Sequence, residues 1–488
     1  MKFRVGREAL GEAVAWVARA LPSRPVVPVL AGLLLEAGDG GLVLSCFDYE
    51  VSARVRIDAD VEEAGTALVP GRLLAEITRS LPSQSAEFSS AADAVSLTCG
   101  SAEFMLVSLP IEDFPALPEP PAAAGTVDGG ILAAAAGQVV PAASRDDTLP
   151  MLTGVCLDFD GDTITLAATD RYRLAVREVP WAPADPDLRA AALVPARTLA
   201  DVARTMAAGV PVTIAYGASS TGSQAVAGAA RGSSAPGRGE PRPAEGMISF
   251  EGGGRRLTAR LIAGEFIRYR SRFPAEFGCR AEVAAGPFIE AVRRVSLVAE
   301  RASPVQLAFG PGLVVVEAQA EGRARAVETV AADFEGDEPV IAFNPHYLLD
   351  GLAAAAAAGT ALTGPARAAG TPADGGEAPS EPGGRIRIEF TSPAKPALIT
   401  WAAASRPANG EQDDGESGEQ REPAAGQQDG TDSAPDDGEG APDDGESAPD
   451  DAESAPDDAE NAPDDAENAP EVAAFRYLVV PLRVPAKG

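Results

Sequence analysis

A six-residue pattern occurs twice at a fixed offset, as Pro28-Val29-Leu30-Ala31-Gly32-Leu33 and Pro150-Met151-Leu152-Thr153-Gly154-Val155, with Asp48 and Asp170 each 20 residues after their proline. The register holds further on. Leu42-Val43-Leu44 matches Ile164-Thr165-Leu166 at an offset of 122, and Leu68-Val69-Pro70-Gly71-Arg72 matches Leu193-Val194-Pro195-Ala196-Arg197 at 125. Self-similarity at one spacing means that a chain is assembled from copies of one structural unit. A weaker third copy runs through 288–298, Val314-Val315-Val316 and Ala342-Phe343-Asn344-Pro345, the last standing where Leu-Val-Pro stood before. Each unit mixes short strands with two helical stretches, the composition of an α+β domain whose helices gather on one face of antiparallel sheets.

Material foreign to the repeat accounts for the charge. The formal net charge is −32, but 411–471 holds 24 acidic residues against the single Arg421, which leaves only −9 for the rest. Five tandem heptads of the form Ala-Pro-Asp-Asp-Gly/Ala-Glu-x fill 434–468. Their prolines and lack of large apolar pairs rule out a coiled coil, so an extended, solvated tract is expected. Two Gly/Ala/Ser/Pro-rich stretches, 217–246 and 359–384, read as protruding loops. Because Phe475-Arg476-Tyr477-Leu478-Val479-Val480 is strand-like again, the acidic tract must interrupt a domain, with its ends near Trp401 and Phe475 meeting in adjacent strands. The tract is expected to emerge on the side of any cleft formed by those late strands.

Several classes of function are excluded. No apolar run reaches the roughly 18 residues of a membrane span, and the start at Met1-Lys2-Phe3-Arg4 lacks the apolar core of a secretory leader, so a cytoplasmic location is expected. Cys46, Cys99, Cys156 and Cys279 are dispersed in apolar contexts and read as buried free thiols. His346 is the only histidine, which excludes a multi-histidine metal site, and it follows Asn344-Pro345 at an expected helix start. With no GxxxxGK[ST] loop and lysine only at positions 2, 395 and 487, the residues point to no catalytic group, metal or cofactor.

The helical stretches carry the functional signal. In 72–81, Leu73, Leu74, Ile77 and Leu81 fall on one side of a helical wheel and Arg72 and Arg79 on the other; in 197–206, Leu199, Val202 and Met206 oppose Arg197 and Arg204. Arg19 in the first unit, and Arg293 and Arg294 in the third, stand in similar places. Equivalent helices with arginine outward, set around a ring, would line a channel with positive charge suited to phosphate backbones.

Met1-Lys2-Phe3, Arg24-Pro25 followed by Pro28-Val29-Leu30, Thr169-Asp170-Arg171-Tyr172-Arg173-Leu174-Ala175 and Tyr477-Leu478-Val479-Val480-Pro481-Leu482-Arg483-Val484 together resemble the bacterial sliding clamp family, the β subunit of DNA polymerase III. The resemblance implies a non-enzymatic ring that encircles duplex DNA without sequence preference. It implies a head-to-tail homodimer of three domains per chain, with helices lining the hole and sheets outside. The domains would be 1–124, 125–278 and 279–488, the second and third carrying insertions at about 217–246, 359–384 and 402–471. Arg24, Arg72, Arg79, Arg145, Arg197 and Arg204 would touch DNA phosphates. Phe104 and Leu106 would pack against the helix bearing Leu297 in the neighbouring subunit. A short peptide from the polymerase or the clamp loader would enter a cleft of Leu152, Thr169, Arg171, Tyr172, Arg173, Leu174, Leu478, Val480, Pro481, Leu482, Arg483 and Val484, walled by Ile267 and Arg272. Ile267 replaces a usual proline and Arg272 a usual aliphatic residue, which alters the expected peptide preference. Two other readings fit the same residues: a specialised second clamp copy with altered partner choice, or an interaction scaffold in which the acidic heptads do the binding.

Overall fold

In a computed structural model that describes residues 1–91, 93–206, 209–217, 246–299, 303–320, 323–363, 384–402 and 475–482, the repeat becomes a plan executed three times. The helices are α1 (Arg7–Val17), α2 (Gly71–Ser80), α3 (Gly129–Val139), α4 (Ala196–Thr205), α5 (Ala285–Ser296) and α6 (Pro345–Thr363). Each unit opens with a strand leading into its first helix: Lys2–Val5, Ala123–Asp128 or Cys279–Ala284. A three-stranded antiparallel meander follows, in the first unit Gly32–Gly38, Gly41–Phe47 and Val51–Ile57. Its counterparts are Gly154–Asp160, Thr163–Thr169 and Arg173–Pro180, and Val305–Gly310, Leu313–Ala320 and Ala324–Glu335. A further strand, Gly65–Pro70, Arg189–Pro195 or Val340–Phe343, runs into the second helix, and a second meander ends the unit.

The repeated aspartates earn their place at a turn. Asp48 Oδ1 accepts from the backbone N–H groups of Glu50 (3.0 Å) and Val51 (2.7 Å), and Asp170 Oδ1 from those of Tyr172 (3.0 Å) and Arg173 (3.1 Å). The residue after each is left-handed, Tyr49 at φ 74° and Arg171 at φ 80°. These turns aim the third strand of each first meander at the next unit.

There the units join, sheet edge to sheet edge. Arg255–Arg260 pairs with Val51–Ile57, setting Leu257 opposite Ala53 and Ala259 opposite Val51. Phe475–Val479 pairs with Arg173–Pro180, setting Tyr477 opposite Ala175 and Val479 opposite Arg173. Counted from the hairpins that define equivalent residues, the two registers are the same. The joins extend the sheets to nine and twelve strands, while a five-stranded sheet of the first unit ends on Ala102–Val107.

Helices pack beneath the sheets on apolar stripes: α2 buries Leu74, Ala75 and Ile77, α4 Leu199 and Val202, and α5 Phe288, Val292 and Val295. Each fully buried Leu, Val or Phe contributes about 1.5–3 kcal/mol. Leu73, expected on the α2 stripe, is 46% exposed at its flank. Two helices stand outside the outward-arginine pattern. α3 and α6 carry no arginine, because they pack on each other, buried Gln138 Nε2 donating to Ala354 O at 3.2 Å. Asn344 caps α6, its Oδ1 accepting from His346 N at 3.0 Å, with Pro345 at the first helical position.

Two linkers strap the outer sheet faces. Leu109, Phe114 and Leu117 cover Val29, Leu30, Leu34 and Leu68, and Phe266, Ile267, Phe273 and Phe277 join Tyr269 over Leu174, Leu193, Leu398 and Leu478. The four cysteines are buried and free, and burial pushes the Cys46 and Cys156 thiols up to about 12. Among the described residues no helix is long and apolar enough to cross a membrane.

The first and last insertions fall at hairpin turns, between Pro211–Gly217 and Met247–Gly252 and between Ala397–Ala402 and Phe475–Val479. The last two strands do pair, Ile399 opposite Tyr477. α6 runs to Thr363, past the expected loop start at 359. The acidic heptads, Arg483 and Val484 lie outside the described residues.

Candidate functional site

At the joint of the second and third units, a cavity of about 530 Å³ opens over the shared sheet. Its walls are Leu152, Thr169, Arg171, Arg173, Leu174, Ile267, Ser271, Arg272, Pro396, Leu478 and Val480. Nine of these were expected from the sequence; Ser271 and Pro396 were not. Ser271 lies in the short turn Arg270–Arg272 that carries Arg272, and Pro396 precedes Ala397–Ala402. Both reach the cavity through tertiary placement that carries no local signal. Tyr172 stands outside it, 51% exposed and stacked on Tyr347 at 6.1 Å. Pro481 is half-buried beyond the cavity, and Leu482 bridges to Ala342, its N–H donating to Ala342 O at 2.7 Å. Ala402 and Phe475, from which the acidic tract departs and returns, lie at the strand ends remote from Pro396 and Val480. The acidic tract itself, expected on the cleft side, lies outside the described residues.

Arg173 fastens the joint. Its guanidinium meets Asp170 at 3.0 Å and Asp350 of α6 at 2.5 Å, and lies 4.5 Å from the centre of the Tyr347 ring. Burial opposes its charge, but Tyr477, Asp350 and Asp170 outweigh that, so its pKa lies above the ordinary value. Tyr477, fully buried on the last strand, donates its hydroxyl to Tyr347 O at 2.9 Å, and burial holds that hydroxyl well above its ordinary pKa. Val480 N–H closes the frame on Tyr172 O at 2.8 Å. Tyr347 and Asp350, which complete this cluster, were not anticipated; their signal lay only in their placement one helical turn apart after the Asn344 cap.

The ring of Tyr477 lies on Gly351 of α6, where an added Cβ would stand 2.5 Å from ring atoms. Gly351→Ala is expected to destabilise the third unit by about 1–3 kcal/mol through overpacking. A lower thermal midpoint, with faster hydrogen exchange at Val480, would register it; an unchanged melt would mean that the ring has room to move.

The six arginines expected at phosphates are all exposed. Arg72 on α2 and Arg197 on α4 line one cavity of about 250 Å³ with Arg19, Asp48 and Asp201. Arg72 donates to Pro22 O at 3.1 Å and Arg204 pairs with Asp201 at 2.6 Å. Arg24 lies in the turn before the short helix Pro28–Ala31, Arg79 in the last turn of α2, and Arg145 beside Arg171 in a cavity with Asp146, His346 and Asp350. Arg19 follows α1 in a separate turn, Ala18–Ala20. Arg293 pairs with Glu290, and Arg294 with Glu328 at 2.5 Å. Exposed pairs of this kind are worth about 0–1 kcal/mol and exchange readily for other anions.

Of the residues expected between subunits, Phe104 and Leu106 sit on the edge strand Ala102–Val107, the first half-buried and the second buried. Leu297 ends α5 and is 81% exposed.

Comparison with known proteins places these features. Models of the DNA polymerase III beta subunit match in order: its N-terminal domain over 1–118, its central domain over 126–267 and its C-terminal domain over 270–363. The beta sliding clamp of Streptomyces coelicolor is 50% identical over 383 residues, covering 78% of this chain and 96% of that protein. That of Micrococcus luteus is 44% identical over 335 residues, covering 69% of this chain and 100% of that one. In the solved structures, a DNA polymerase sliding clamp from Bacillus subtilis superposes with a TM-score of 0.70 at 20% identity, over 99% of this chain and 100% of the other. With three domain models in sequence and close relatives matched over nearly their whole length, the chain belongs to the DNA polymerase III beta subunit family, the beta sliding clamps.

Proposed function

We infer that the chain works as a DNA sliding clamp, closing with a second copy into a ring that holds a polymerase on duplex DNA. The observation that carries this reading is the pair of open edges. Among the described residues, Ala102–Val107 has no partner on its outer side, and neither does the 324–331 part of Ala324–Glu335. These are the counterparts of the strands joined inside the chain. The hairpin pairs Cys99–Ala102 and Gly252–Arg255 make Phe104 the equivalent of Leu257, and Gly38–Gly41 and Gly310–Leu313 make Ala326 the equivalent of Ala53. Repeating the internal register puts Phe104 opposite Ala326 of the partner subunit and Leu106 opposite Ala324 of the partner subunit. All three joints would then set a bulky residue, Leu257, Tyr477 or Phe104, against alanine. A head-to-tail contact of this kind closes when two copies supply six units, with neither of these two edges left over.

In this reading the domains are 1–124, 125–278 and 279–488. Arg24, Arg72, Arg79, Arg145, Arg197 and Arg204 touch phosphates in passing, without reading bases. The cleft over Leu174 and Leu478 takes a short peptide of the polymerase or of a separate ATP-using loader. No bond is made or broken by the clamp itself, and a cytoplasmic site of action goes with the role. Retention follows from topology. Loaded on nicked circular DNA, the protein should stay through gel filtration at salt that releases it from short duplexes, and linearising the circle should free it. Equal lifetimes on circle and linear DNA would exclude encirclement.

A further inference from the structure

We propose that the joint between the first and second units is the flexing joint of the chain, and that a phosphate group bridging Arg19 and Arg72 to Arg197 stiffens it. The inference deepens the clamp reading above and rests on it for the source of the phosphate. The repeat makes the two internal joints comparable residue by residue. Val51 stands where the second joint has Arg173, Thr198 where it has Tyr347, and Asp201 where it has Asp350. The lock that Arg173 makes with Asp350 and Tyr347 is therefore missing from the first joint. Arg255 does reach across, but it meets Glu12 at 3.8 Å, on a side chain 77% exposed, where a pair holds little. Beneath the sheet, Gln138 and Ala354 join α3 to α6, whereas their counterparts Trp16 and Thr205 line the cavity of about 250 Å³.

Charge adds to the looseness. Arg19 and Arg72 from the first unit and Arg197 from the second all line that cavity. Its two carboxylates are engaged elsewhere: Asp48 Oδ1 accepts from its own turn, and Asp201 meets Arg204 at 2.6 Å. Arg19 and Arg197 make no ion pair among the described residues. The carbonyls of Leu21 (3.4 Å) and Pro22 (3.1 Å) fix the guanidinium of Arg72 without neutralising it. Like charges on the two sides of a joint favour its opening. A phosphate accepting from guanidinium groups of both units replaces that repulsion with charge-assisted hydrogen bonds, so it binds the closed joint better than the open one.

One hydrogen bond occurs in both joints and gauges them: Arg260 N–H on Glu50 O at 2.9 Å, and its counterpart, Val480 N–H on Tyr172 O at 2.8 Å. The test is hydrogen exchange of the full-length protein, read as protection factors at these two amides. One ionic strength is set with sodium chloride, with sodium pyrophosphate, or with chloride plus a duplex oligonucleotide. In chloride, Arg260 is expected to be about tenfold less protected than Val480. Pyrophosphate and duplex should each raise protection at Arg260 about tenfold and leave Val480 unmoved. In R19A/R197A, which alters exposed side chains only, Arg260 should be better protected in chloride and blind to pyrophosphate. V51R, which copies the lock against Asp201, should protect Arg260 in chloride as much as pyrophosphate does. Equal protection of the two amides in chloride, a pyrophosphate response at both, or an undiminished response in R19A/R197A would each overturn the proposal. So would a response to duplex without one to pyrophosphate, since the cavity would not be the site. A response to pyrophosphate without one to duplex would uphold the phosphate-sensitive joint and count against the DNA reading, so the two failures are told apart.

Discussion

Leu297→Asp is expected to give a folded monomer that no longer remains on circular DNA. Leu297 is 81% exposed within its own chain, so the substitution removes no internal contact and the melting temperature should hold. In the proposed ring the same position would face the edge strand bearing Phe104 and Leu106. A carboxylate buried there without a partner costs about 3 kcal/mol, and a two-fold ring contains the contact twice. The dimer Kd should therefore rise at least about a thousandfold. Sedimentation equilibrium reads this directly: a variant that stays dimeric at nanomolar concentration would show that α5 lies away from the seam.

Arg173→Ala should be the most damaging single change inside the chain. It leaves Asp170 and Asp350 facing one another and strips the Tyr347 ring of its cation. Losing one partner of a largely buried ion pair costs about 3–5 kcal/mol; since Asp350 is 43% exposed and can turn to water, we expect the lower end. Hydrogen exchange at Val480, whose N–H is held by Tyr172 O, should accelerate before that of the first unit, because the joint opens first. Restoration of stability in R173A/D350A would identify the stranded carboxylate as the cause. An undisturbed Val480 in R173A would instead show that strand pairing alone holds the two units together.

Much of this architecture was legible because a repeat is its own alignment. The offsets near Asp48 and Asp170 located equivalent turns, and Leu-Val-Pro before Arg72 and Arg197 located equivalent helices. What the repeat did not reveal is which helices meet across a joint. α3 and α6 are pressed against each other across a joint, where alanine and glycine allow close packing and the helices carry no arginine. The cleft was legible where it is made of contiguous motif, as at Thr169 to Leu174. It was not legible at Ser271, Pro396, Tyr347 and Asp350, which meet only after distant segments are brought together. Likewise, the wheel put Leu73 inside because angular position alone does not say how wide the buried face is.

The linkers that strap the outer faces give the ring an intrinsic asymmetry. Residues 108–122 tie the first unit to the second, and 261–278 tie the second to the third, each pinned by apolar side chains. Should either internal joint part, its halves remain leashed at millimolar effective concentration and re-form at once. The proposed seam between copies would have the same strand pairing but no leash, so its halves would drift apart once separated. In the proposed ring a gate for DNA would thus arise where the polypeptide happens to be discontinuous, with no hinge or latch having to be built for it.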